Sequence, residues 1–262
     1  IRDRSQGATP LTALLLDVGN SRIKWGILDN GSINRTGHIA HDRIQDKGLA
    51  ALTSKLPRHV DTVFASNVAG TSFATRLSGV ISMHCEADVH FARSEKQACG
   101  VTSSYRQPRR LGVDRWVAMI GAWSEIAGAC LVVDVGTAAT IDALDRSGQH
   151  LGGQILPGVS IMAASLASRT SDIPATQRRA ASQGPGTNMF ANTTAGAVGQ
   201  GALNAVVGAV ERAARVLRED QGDITIILTG GDASRILKSL GDKAIHRPHL
   251  VLQGLARLLE DR

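Results

Sequence analysis

The sequence predicts an α/β fold built from two similar halves with a cleft between them. One observation is an internal sequence repeat, which we call the echo: the pattern of LLLDVGNSRIKWGILDNG at residues 14–31 recurs in LVVDVGTAATIDALDRSGQ at residues 131–149. The other is alternation, because short apolar stretches rich in β-branched residues are interleaved with stretches of helical periodicity. The sheets and helices of such a chain cover each other's apolar faces, and a duplicated chain offers a cleft between its halves.

Each copy of the echo predicts a β-hairpin whose first strand ends near an aspartate. Asp17 and Asp134 are each followed by Val-Gly and a small polar residue, and a turn glycine, Gly31 or Gly148, lies 14 positions after the aspartate. Glycine turns between alternating segments are typical of hairpins. The Asp-x-Gly turn exposes backbone N–H groups that can grip phosphate oxygens.

Further elements follow from composition and spacing. DTVFAS at residues 61–66 and DITIIL at residues 223–228 predict buried strands, because both are short, apolar and rich in β-branched residues. Apolar residues at helical spacing predict a helix over residues 113–127, with Asp114 and Arg115 in its first turn. A second long helix is predicted over about residues 194–219. Its small residues suggest close helix packing: Ala197, Gly201, Ala205 and Gly208.

The boundary between the halves is predicted near residues 108–115. This gives an N-terminal domain of residues 11–110 with the first hairpin, and a C-terminal domain of residues 111–262 with the second hairpin and the substrate site. The last helix is expected to cross back to the first half.

Composition excludes several classes of protein. No apolar run approaches the ~20 residues that span a bilayer, so no membrane protein is expected. The net charge is +6, but one Tyr, three Trp and four Phe are too few to interleave with basic residues as a nucleic-acid stacking platform requires. Small anionic ligands are expected instead. Three cysteines without metal-ligand spacing favour a reduced, cytoplasmic protein.

Two glycine-rich stretches remain after a P-loop and a GxGxxG motif are excluded. GPGTN at residues 184–188 follows no clear strand and is interpreted as a loop. LTGGDAS at residues 228–234 follows a predicted strand and precedes a helix. Its backbone could approach a nucleotide closely, or it could be a plain strand-to-helix turn.

The first candidate constellation is Asp17, Asn20, Ser21 and Lys24. A carboxylate can organise a metal and its waters, and a lysine can neutralise phosphate charge. A surface hairpin whose polar residues merely satisfy the turn is the alternative. The distant copy at Asp134, with hydroxyls at Thr137 and Thr140, favours the phosphate interpretation, because two such turns can face one another across phosphates.

LGVDRW at residues 111–116 is a separate candidate. A helix N-terminus favours an ionised Asp114, and the adjacent Arg115 strengthens that preference. Asp114 could be only a helix cap. It could also orient an attacking hydroxyl and accept its proton late in phosphoryl transfer, while Arg115 holds an anionic substrate in a fork geometry.

Seven motifs in this order resemble those of type III pantothenate kinases, over residues 14–259. That family belongs to the acetate and sugar kinase, Hsc70 and actin superfamily, so the resemblance implies two duplicated actin-like, ribonuclease H-like domains. It implies ATP-dependent phosphorylation of pantothenate to 4′-phosphopantothenate, the first step of coenzyme A synthesis. The motifs are DVGNSRIK, YRQPRRLGVDR, VVDVGTAATID, GGQILPG, NTTAGAVGQG, LTGGDA and LVLQGL.

The resemblance also implies a role for individual residues. Asp114 would accept the proton of the primary hydroxyl of pantothenate, Asp134 would ligate K⁺ or NH₄⁺, and Asp17 would lie near Mg²⁺, directly or through water. The implied ATP-binding residues are Asp17, Val18, Gly19, Asn20, Ser21, Arg22, Ile23, Lys24 and Thr137. The implied substrate-binding residues are Tyr105, Gly112, Val113, Asp114, Arg115 and Thr194. The motif spacing selects Thr194 over Thr193, and the family implies a homodimer.

Two other functions stay open at this point. The fold serves many acceptor substrates, so another small-molecule kinase of the same superfamily would share these motifs. A regulatory or nucleic-acid-binding protein that retains the fold would also suit the basic composition, and its binding should weaken steeply with salt.

Overall fold

The protein is described by a computed structural model over residues 12–169, 189–240 and 244–262. The chain divides into two compact units. The first unit comprises Ile1–Glu95, Arg109–Gly121 and Val251–Arg262, and the second comprises Lys96–Pro108 and Ala122–Leu250. This division does not test where the folding domains begin and end, so the domains at residues 11–110 and 111–262 stay a prediction.

A five-stranded mixed sheet forms the first unit. Its strands are β1 (Ala13–Val18), β2 (Arg22–Asp29), β3 (Ser32–Ala40), β4 (Thr62–Asn67) and β5 (Val89–Phe91). Their order in the sheet is β3-β2-β1-β4-β5. The first three strands are antiparallel, whereas β4 pairs in parallel with β1 and with β5. The predicted hairpin and the predicted strand at residues 61–66 are both confirmed.

The helices of the first unit cover this sheet. They are α1 (His41–Lys47), α2 (Ala50–Thr53), α3 (Thr71–Cys85), the first part of α4 (Val113–Ile126) and nearly all of α8 (Leu250–Glu260). The predicted helix at residues 113–127 is therefore confirmed to within one residue. Apolar residues of β1, β2, β4 and α3 form one buried core.

The second unit repeats the same sheet. Two short strands, β6 (Gln97–Ala98) and β7 (Val101–Thr102), precede its main strands. The main strands are β8 (Cys130–Val135), β9 (Ala138–Leu144), β10 (His150–Pro157), β11 (Thr225–Thr229) and β12 (Ala244–His246). Their order is β10-β9-β8-β11-β12, which matches the first sheet strand for strand. The duplication expected from the sequence echo is confirmed.

Helices α5 (Val159–Arg169), α6 (Thr194–Gln221) and α7 (Ala233–Ile236) belong to the second unit. The long helix predicted over residues 194–219 is confirmed as α6. The predicted close packing at its small residues is wrong for Gly201 and Gly208. A Cβ at either glycine would meet no heavy atom within 4 Å, because both lie on the exposed face of the helix. The predicted loop at residues 184–188 lies outside the described residues.

The turn glycine of the second copy lies in a tight, hydrogen-bonded turn between β9 and β10. Gly148 has φ +81°, a conformation that L-residues rarely adopt. Burial raises the pKa of Asp145, but hydrogen bonds from the Ser147 hydroxyl and from the backbone N–H groups of Gln149, Ser147 and Gly148 outweigh burial and lower it. At pH values above its ordinary pKa, the ionised Asp145 carboxylate therefore stabilises the turn. This stabilisation is lost as the pH falls through the lowered pKa.

Two of the three cysteines are predicted to resist thiol reagents in the native protein. Burial raises the pKa of Cys85, and it raises the pKa of Cys130 to about 12. The thiolate is the reactive species, so Cys99, which is only partly buried, should react first at about pH 8. We expect one fast and two slow reactions with a chromogenic disulfide, and three fast reactions after unfolding. Replacement Cys99→Ser should remove the fast phase, and equal rates for all three would contradict the prediction.

Candidate active site

Asp17 lies at the end of the first strand of the first unit, on the face away from the core. Its neighbours Leu16 and Val18 are fully buried in that core, and alternate residues of a strand point to opposite faces. Its register partners are Lys24 on the antiparallel neighbour β2 and Ser66 on the parallel neighbour β4. Ser66 is 0% exposed, and its hydroxyl has no hydrogen-bond partner within the described residues.

Asp134 occupies the same place in the second unit. Val133 and Val135 are buried in the second core, so Asp134 points to the opposite face. Its register partners are Thr140 on β9 and Thr229 on β11. Thr229 is 1% exposed, and in the described part of the chain its hydroxyl also lacks a partner. Each aspartate therefore has a buried, unsatisfied hydroxyl at the matching position of the adjacent parallel strand.

The backbone around the two aspartates is held by equivalent hydrogen bonds. In the first unit the N–H of Val68 donates to the carbonyl of Val18 at 3.0 Å. In the second unit the N–H of Asp232 donates to the carbonyl of Val135 at 2.9 Å. Both bonds tie the segment after a parallel strand to the residue that follows the aspartate.

The two hairpin turns differ in length. The N–H of Gly19 donates to the carbonyl of Arg22 at 3.1 Å, whereas the N–H of Gly136 donates to the carbonyl of Ala138 at 2.9 Å. The second turn is one residue shorter, a difference that the sequence echo does not reveal. Both turns still begin at the glycine of the Asp-x-Gly motif.

The polar groups around each aspartate suit a hydrated cation and phosphate. A buried hydroxyl without a partner costs about 1–3 kcal/mol, so an ion, a water or a ligand oxygen nearby would be stabilising. Carboxylate and hydroxyl oxygens are the ligands that Mg²⁺ and other hard cations prefer. Across the described residues, no three His, Cys, Asp or Glu side chains converge on a possible metal ion. A cation held by one carboxylate together with waters or phosphate oxygens fits this arrangement.

The glycine-rich turn after β11 lies directly against Asp134. A Cβ added at Gly230 would run into the Asp134 carboxylate and the backbone of Val135, and Gly230 has φ +96°. From another side, the N–H of Gly158 donates to the carbonyl of Thr137 at 2.9 Å. Three backbone segments therefore meet at the second Asp-x-Gly turn, so LTGGDAS lies directly beside Asp134, and its approach to a nucleotide stays a prediction.

Asp114 lies in the first turn of α4, where its carboxylate is fixed locally. The N–H of Arg115 donates to Oδ1 of Asp114 at 2.8 Å. Gly112 leaves room for this carboxylate, because a Cβ at that position would lie 2.7 Å from Oδ1. Arg115 is only 7% exposed, so a positively charged side chain is largely buried in the first turn of the same helix. Such an arrangement can orient a hydroxyl and balance negative charge.

Replacement Gly112→Ala is predicted to impair activity much more than stability. The added methyl group would displace the end of the Asp114 side chain, which can rotate, and Gly112 has no φ that excludes alanine. We expect kcat to fall about tenfold or more, since a 1 Å misplacement can cost up to about 100-fold, while the melting temperature changes little. Gly79→Ala is the control, because a Cβ there meets no heavy atom within 4 Å. Unchanged kcat would contradict the prediction.

Two predicted substrate residues lie in the second unit. Tyr105 stacks on His150, with ring centroids 6.0 Å apart and ring planes 14° apart. Thr193 is the N-cap of α6, where its hydroxyl accepts from the N–H of Gly196 at 3.1 Å. Thr193 is thus engaged as a cap, and the choice of Thr194 as the substrate residue stays a prediction.

Sequence reasoning missed several polar residues of these surroundings. Ser66 ends the predicted strand at residues 61–66, and Thr229 lies in the LTGGDAS stretch, but neither was given a chemical role. Only the strand register places them beside the aspartates. Asp142 and His150 form a buried pair, with Nε2 of His150 3.0 Å from Oδ1 of Asp142. A comparison of the ends of β4 and β11 could have suggested Ser66 and Thr229, but nothing local suggests the pair.

Comparison with known proteins adds a family and a fold. Residues 13–216 match the profile of the family described as type III pantothenate kinase. A type III pantothenate kinase of Nitrosococcus oceani is 35% identical over 254 residues, covering 95% of this chain and 94% of the relative. One from Azoarcus sp. is 39% identical over 245 residues, covering 93% and 89%.

Solved structures with low sequence identity share the fold. A Campylobacter jejuni protein assigned to the Baf family of transcriptional activators gives a TM-score of 0.61 at 21% identity, covering 94% of this chain and 97% of its own. An archaeal actin homologue gives 0.51 at 11% identity, covering 96% and 100%. An activator of 2-hydroxyisocaproyl-CoA dehydratase from Clostridium difficile, with bound ADPNP, gives 0.51 at 14%, covering 96% and 94%. The predicted fold of two duplicated actin-like units is confirmed.

Proposed function

The chain belongs to the type III pantothenate kinase family, and on that premise we propose that it transfers the γ-phosphoryl group of ATP to pantothenate. The product is 4′-phosphopantothenate, the first intermediate of coenzyme A synthesis. The main structural support for this chemistry is the position of Asp114. Its carboxylate lies in the first turn of α4, next to Gly112, where a Cβ would lie only 2.7 Å from Oδ1. Such a carboxylate can act on the hydroxyl that attacks ATP.

Asp114 is the proposed proton acceptor. As the primary hydroxyl oxygen of pantothenate forms its bond to the γ-phosphorus, the bond from that phosphorus to the bridging oxygen breaks and ADP leaves. The hydroxyl proton passes to Asp114. A loose transition state asks the carboxylate mainly to orient the hydroxyl and to accept its proton late.

The turn of the first hairpin is the proposed ATP-binding element of the first unit, through Asp17–Lys24. Its backbone N–H groups suit phosphate oxygens, and the ammonium of Lys24, opposite Asp17 in the register, suits phosphate charge. In the second unit Thr137 is the proposed ATP contact. Mg²⁺ near Asp17, when bound, neutralises charge on the transferred phosphoryl group.

Asp134 is the proposed ligand of a monovalent cation, K⁺ or NH₄⁺. The unsatisfied hydroxyl of Thr229, its register partner, supports this assignment, because a cation or its water would satisfy that oxygen. Arg115, with Gly112 and Val113, is proposed to bind pantothenate in the first unit. Its planar guanidinium can pair with the carboxylate of the substrate. Tyr105 and Thr194 are the proposed substrate contacts of the second unit.

A homodimer is proposed from exposed apolar side chains in the second unit. Strand β10 is an edge strand of its sheet. Large apolar residues on an edge strand invite association with another chain. The exposed fractions are 47% for Leu151 and 65% for Ile155 on β10, and 43% for Ile161 and 44% for Leu166 on α5.

Light scattering after size exclusion should give twice the 27.5 kDa of one chain. Ile155→Lys is expected to shift the protein toward the monomer, because a charged side chain would be buried without a partner. Met83→Lys is the matched control, since Met83 is 85% exposed in the first unit. A monomeric parent protein, or equal effects of the two substitutions, would contradict the dimer.

A cytoplasmic location is part of the proposal. None of the three cysteines, all of which lie in the described part of the chain, forms a disulfide. In the described parts of the chain no helix combines the length and apolar character needed to cross a membrane.

One assay tests the proposed function and its nearest alternatives. The purified protein with ATP, Mg²⁺ and K⁺ should release ADP only when pantothenate is added, and replacement of K⁺ by Na⁺ should lower the rate. A panel of other alcohols and carboxylates as acceptors tests for a different kinase of the superfamily. ADP release with another acceptor and none with pantothenate would overturn the proposal. The regulatory alternative has no specific support, because likeness to the Campylobacter jejuni protein shows the fold alone.

A further inference from the structure

A buried acid–histidine pair lies beneath the loop that carries Tyr105. His150 is 0% exposed and Asp142 is 1% exposed, and Nε2 of His150 lies 3.0 Å from Oδ1 of Asp142. The other ring nitrogen, Nδ1, lies 3.2 Å from Oγ of Ser104, whose side chain is exposed. Two successive hydrogen-bond contacts therefore connect the buried carboxylate of Asp142, through His150, to the exposed hydroxyl of Ser104 within the second unit.

The buried carboxylate of Asp142 indicates which atom donates and which accepts in each of these two hydrogen bonds. A carboxylate oxygen is an acceptor, so the 3.0 Å contact assigns the ring N–H of His150 to Nε2, which donates a hydrogen bond to Oδ1 of Asp142. With the ring N–H at Nε2, Nδ1 is the acceptor of the second contact, and the hydroxyl of Ser104 donates a hydrogen bond to it at 3.2 Å. With its hydrogen engaged in that bond, the Ser104 oxygen can only accept further hydrogen bonds, through its two lone pairs. Ser104 is thus a hydrogen-bond acceptor of defined orientation.

The backbone on both sides of Ser104 is also fixed. The N–H of Ser103 donates to the carbonyl of Lys96 at 2.8 Å, and Nζ of Lys96 donates to the carbonyl of Ser103 at 2.6 Å. The N–H of Tyr105 donates to Oγ of Ser103, which is fully buried, at 3.2 Å. The Tyr105 ring stacks on His150, so the same histidine orients both Tyr105 and Ser104.

We propose that Ser104 is a further substrate contact of this kinase, and that its oxygen accepts a hydrogen bond from a hydroxyl or the amide N–H of pantothenate. The proposal rests on the proposed function, which makes the adjacent Tyr105 a substrate residue. His150 and Asp142 are positioning residues that act through Ser104 and Tyr105. A fixed acceptor selects a substrate with a donor at that point, because an analogue without the donor leaves the oxygen unpaired.

The same three residue types form the catalytic triad of hydrolases, but the backbone here does not suit that chemistry. In α/β-hydrolases the N–H of the residue after the nucleophile stabilises the oxyanion. The corresponding N–H, that of Tyr105, donates to Oγ of Ser103. Ser104 is therefore assigned to binding and not to nucleophilic attack.

Ser104→Ala is the first test. Loss of one neutral hydrogen bond should raise the KM for pantothenate about threefold to tenfold. The kcat, the KM for ATP and the melting temperature should stay unchanged. Ser104→Thr keeps the hydroxyl and should restore the parent KM. Ser54→Ala is the matched control, because Ser54 is also exposed and its hydroxyl donates to the carbonyl of Ala51.

His150→Phe tests the positioning role. Phenylalanine keeps a flat ring for Tyr105 but has no nitrogen for Ser104, so the KM for pantothenate should rise by a similar factor. Adding Ser104→Ala to His150→Phe should then raise it no further, since two residues that act through one hydrogen bond are not additive. Additive effects would remove His150 from the proposal. If His150→Phe does not fold, the pair Ser104→Ala and Ser104→Thr decides the matter.

Substrate analogues identify the donor and separate the two proposals. Two analogues are compared, one without the secondary hydroxyl and one with a methylated amide. The analogue that lacks the true donor should bind the parent protein more weakly than pantothenate does, and Ser104→Ala should not weaken its binding further. Calorimetric binding of pantothenate is measured beside turnover. A parent that binds pantothenate without turnover would overturn the proposed function, and the dissociation constants would then test Ser104. An active parent whose KM is unaffected by Ser104→Ala would overturn the Ser104 proposal alone, and no binding at all would overturn both.

Discussion

Asp114→Asn is expected to lower the kcat for pantothenate about 10²- to 10⁴-fold, the range typical of a lost general base. Asparagine has the same shape, and its Oδ1 can still accept from the N–H of Arg115, which donates at 2.8 Å in the parent. It cannot take the proton of the attacking hydroxyl. The melting temperature and the affinity for ATP should therefore stay close to those of the parent, as measured by thermal unfolding and by calorimetric nucleotide binding.

A matched control separates the proton acceptor from a helix-terminal charge. Asp42 is the acidic residue in the first turn of α1, and it is exposed. Asp42→Asn removes one negative charge from a helix N-terminus, which costs about 0.3–1 kcal/mol of stability, and it should leave kcat unchanged. If Asp114→Asn retained turnover within a few-fold of the parent, Asp114 would be only a helix-terminal residue.

Gly254→Ala is expected to destabilise the first unit by about 2–3 kcal/mol, although alanine ordinarily favours a helix. A Cβ on Gly254, in α8, would run into the carbonyl of Val117 in α4, and it would lie 2.8 Å from Cγ1 of the same valine. The backbones of the two helices meet here, so relief requires that a whole helix move. A thermal or denaturant unfolding curve measures the loss.

Gly201→Ala is the control in α6. The same methyl group meets no heavy atom within 4 Å there, so helix propensity alone should raise stability by about 0.4–1 kcal/mol. Opposite signs for the two substitutions would establish the α8 contact. Similar stabilisation by both would contradict it.

Local patterns were sufficient for much of the fold. The hairpins, the strand at residues 61–66 and the helices α4 and α6 follow from the spacing of apolar residues and from glycine turns, which act between near neighbours in sequence. The same logic failed at Gly201 and Gly208. A small residue on a helix permits close packing but does not say whether a partner is present.

Some residues of the candidate site could be predicted from local sequence patterns, and others could not. Asp17, Asp134 and Asp114 stand out in the sequence because each belongs to a motif with its own turn or helix start. Ser66 and Thr229 do not stand out, although Thr229 lies within the LTGGDA motif, because their place beside the aspartates depends on which strands pair and in what register. Ser104 gains its role from His150, which is 46 residues away.

By itself the sequence determined the duplication, the family and the residues that carry charge at each turn, since these reside in contiguous motifs. Only the tertiary structure decided which buried hydroxyls flank the aspartates, why Gly254 and Gly230 carry no side chain, and how a buried carboxylate orients a surface serine. Each of those facts is a contact between segments distant in sequence. Pairing register and helix packing create such contacts, and no local pattern encodes either one.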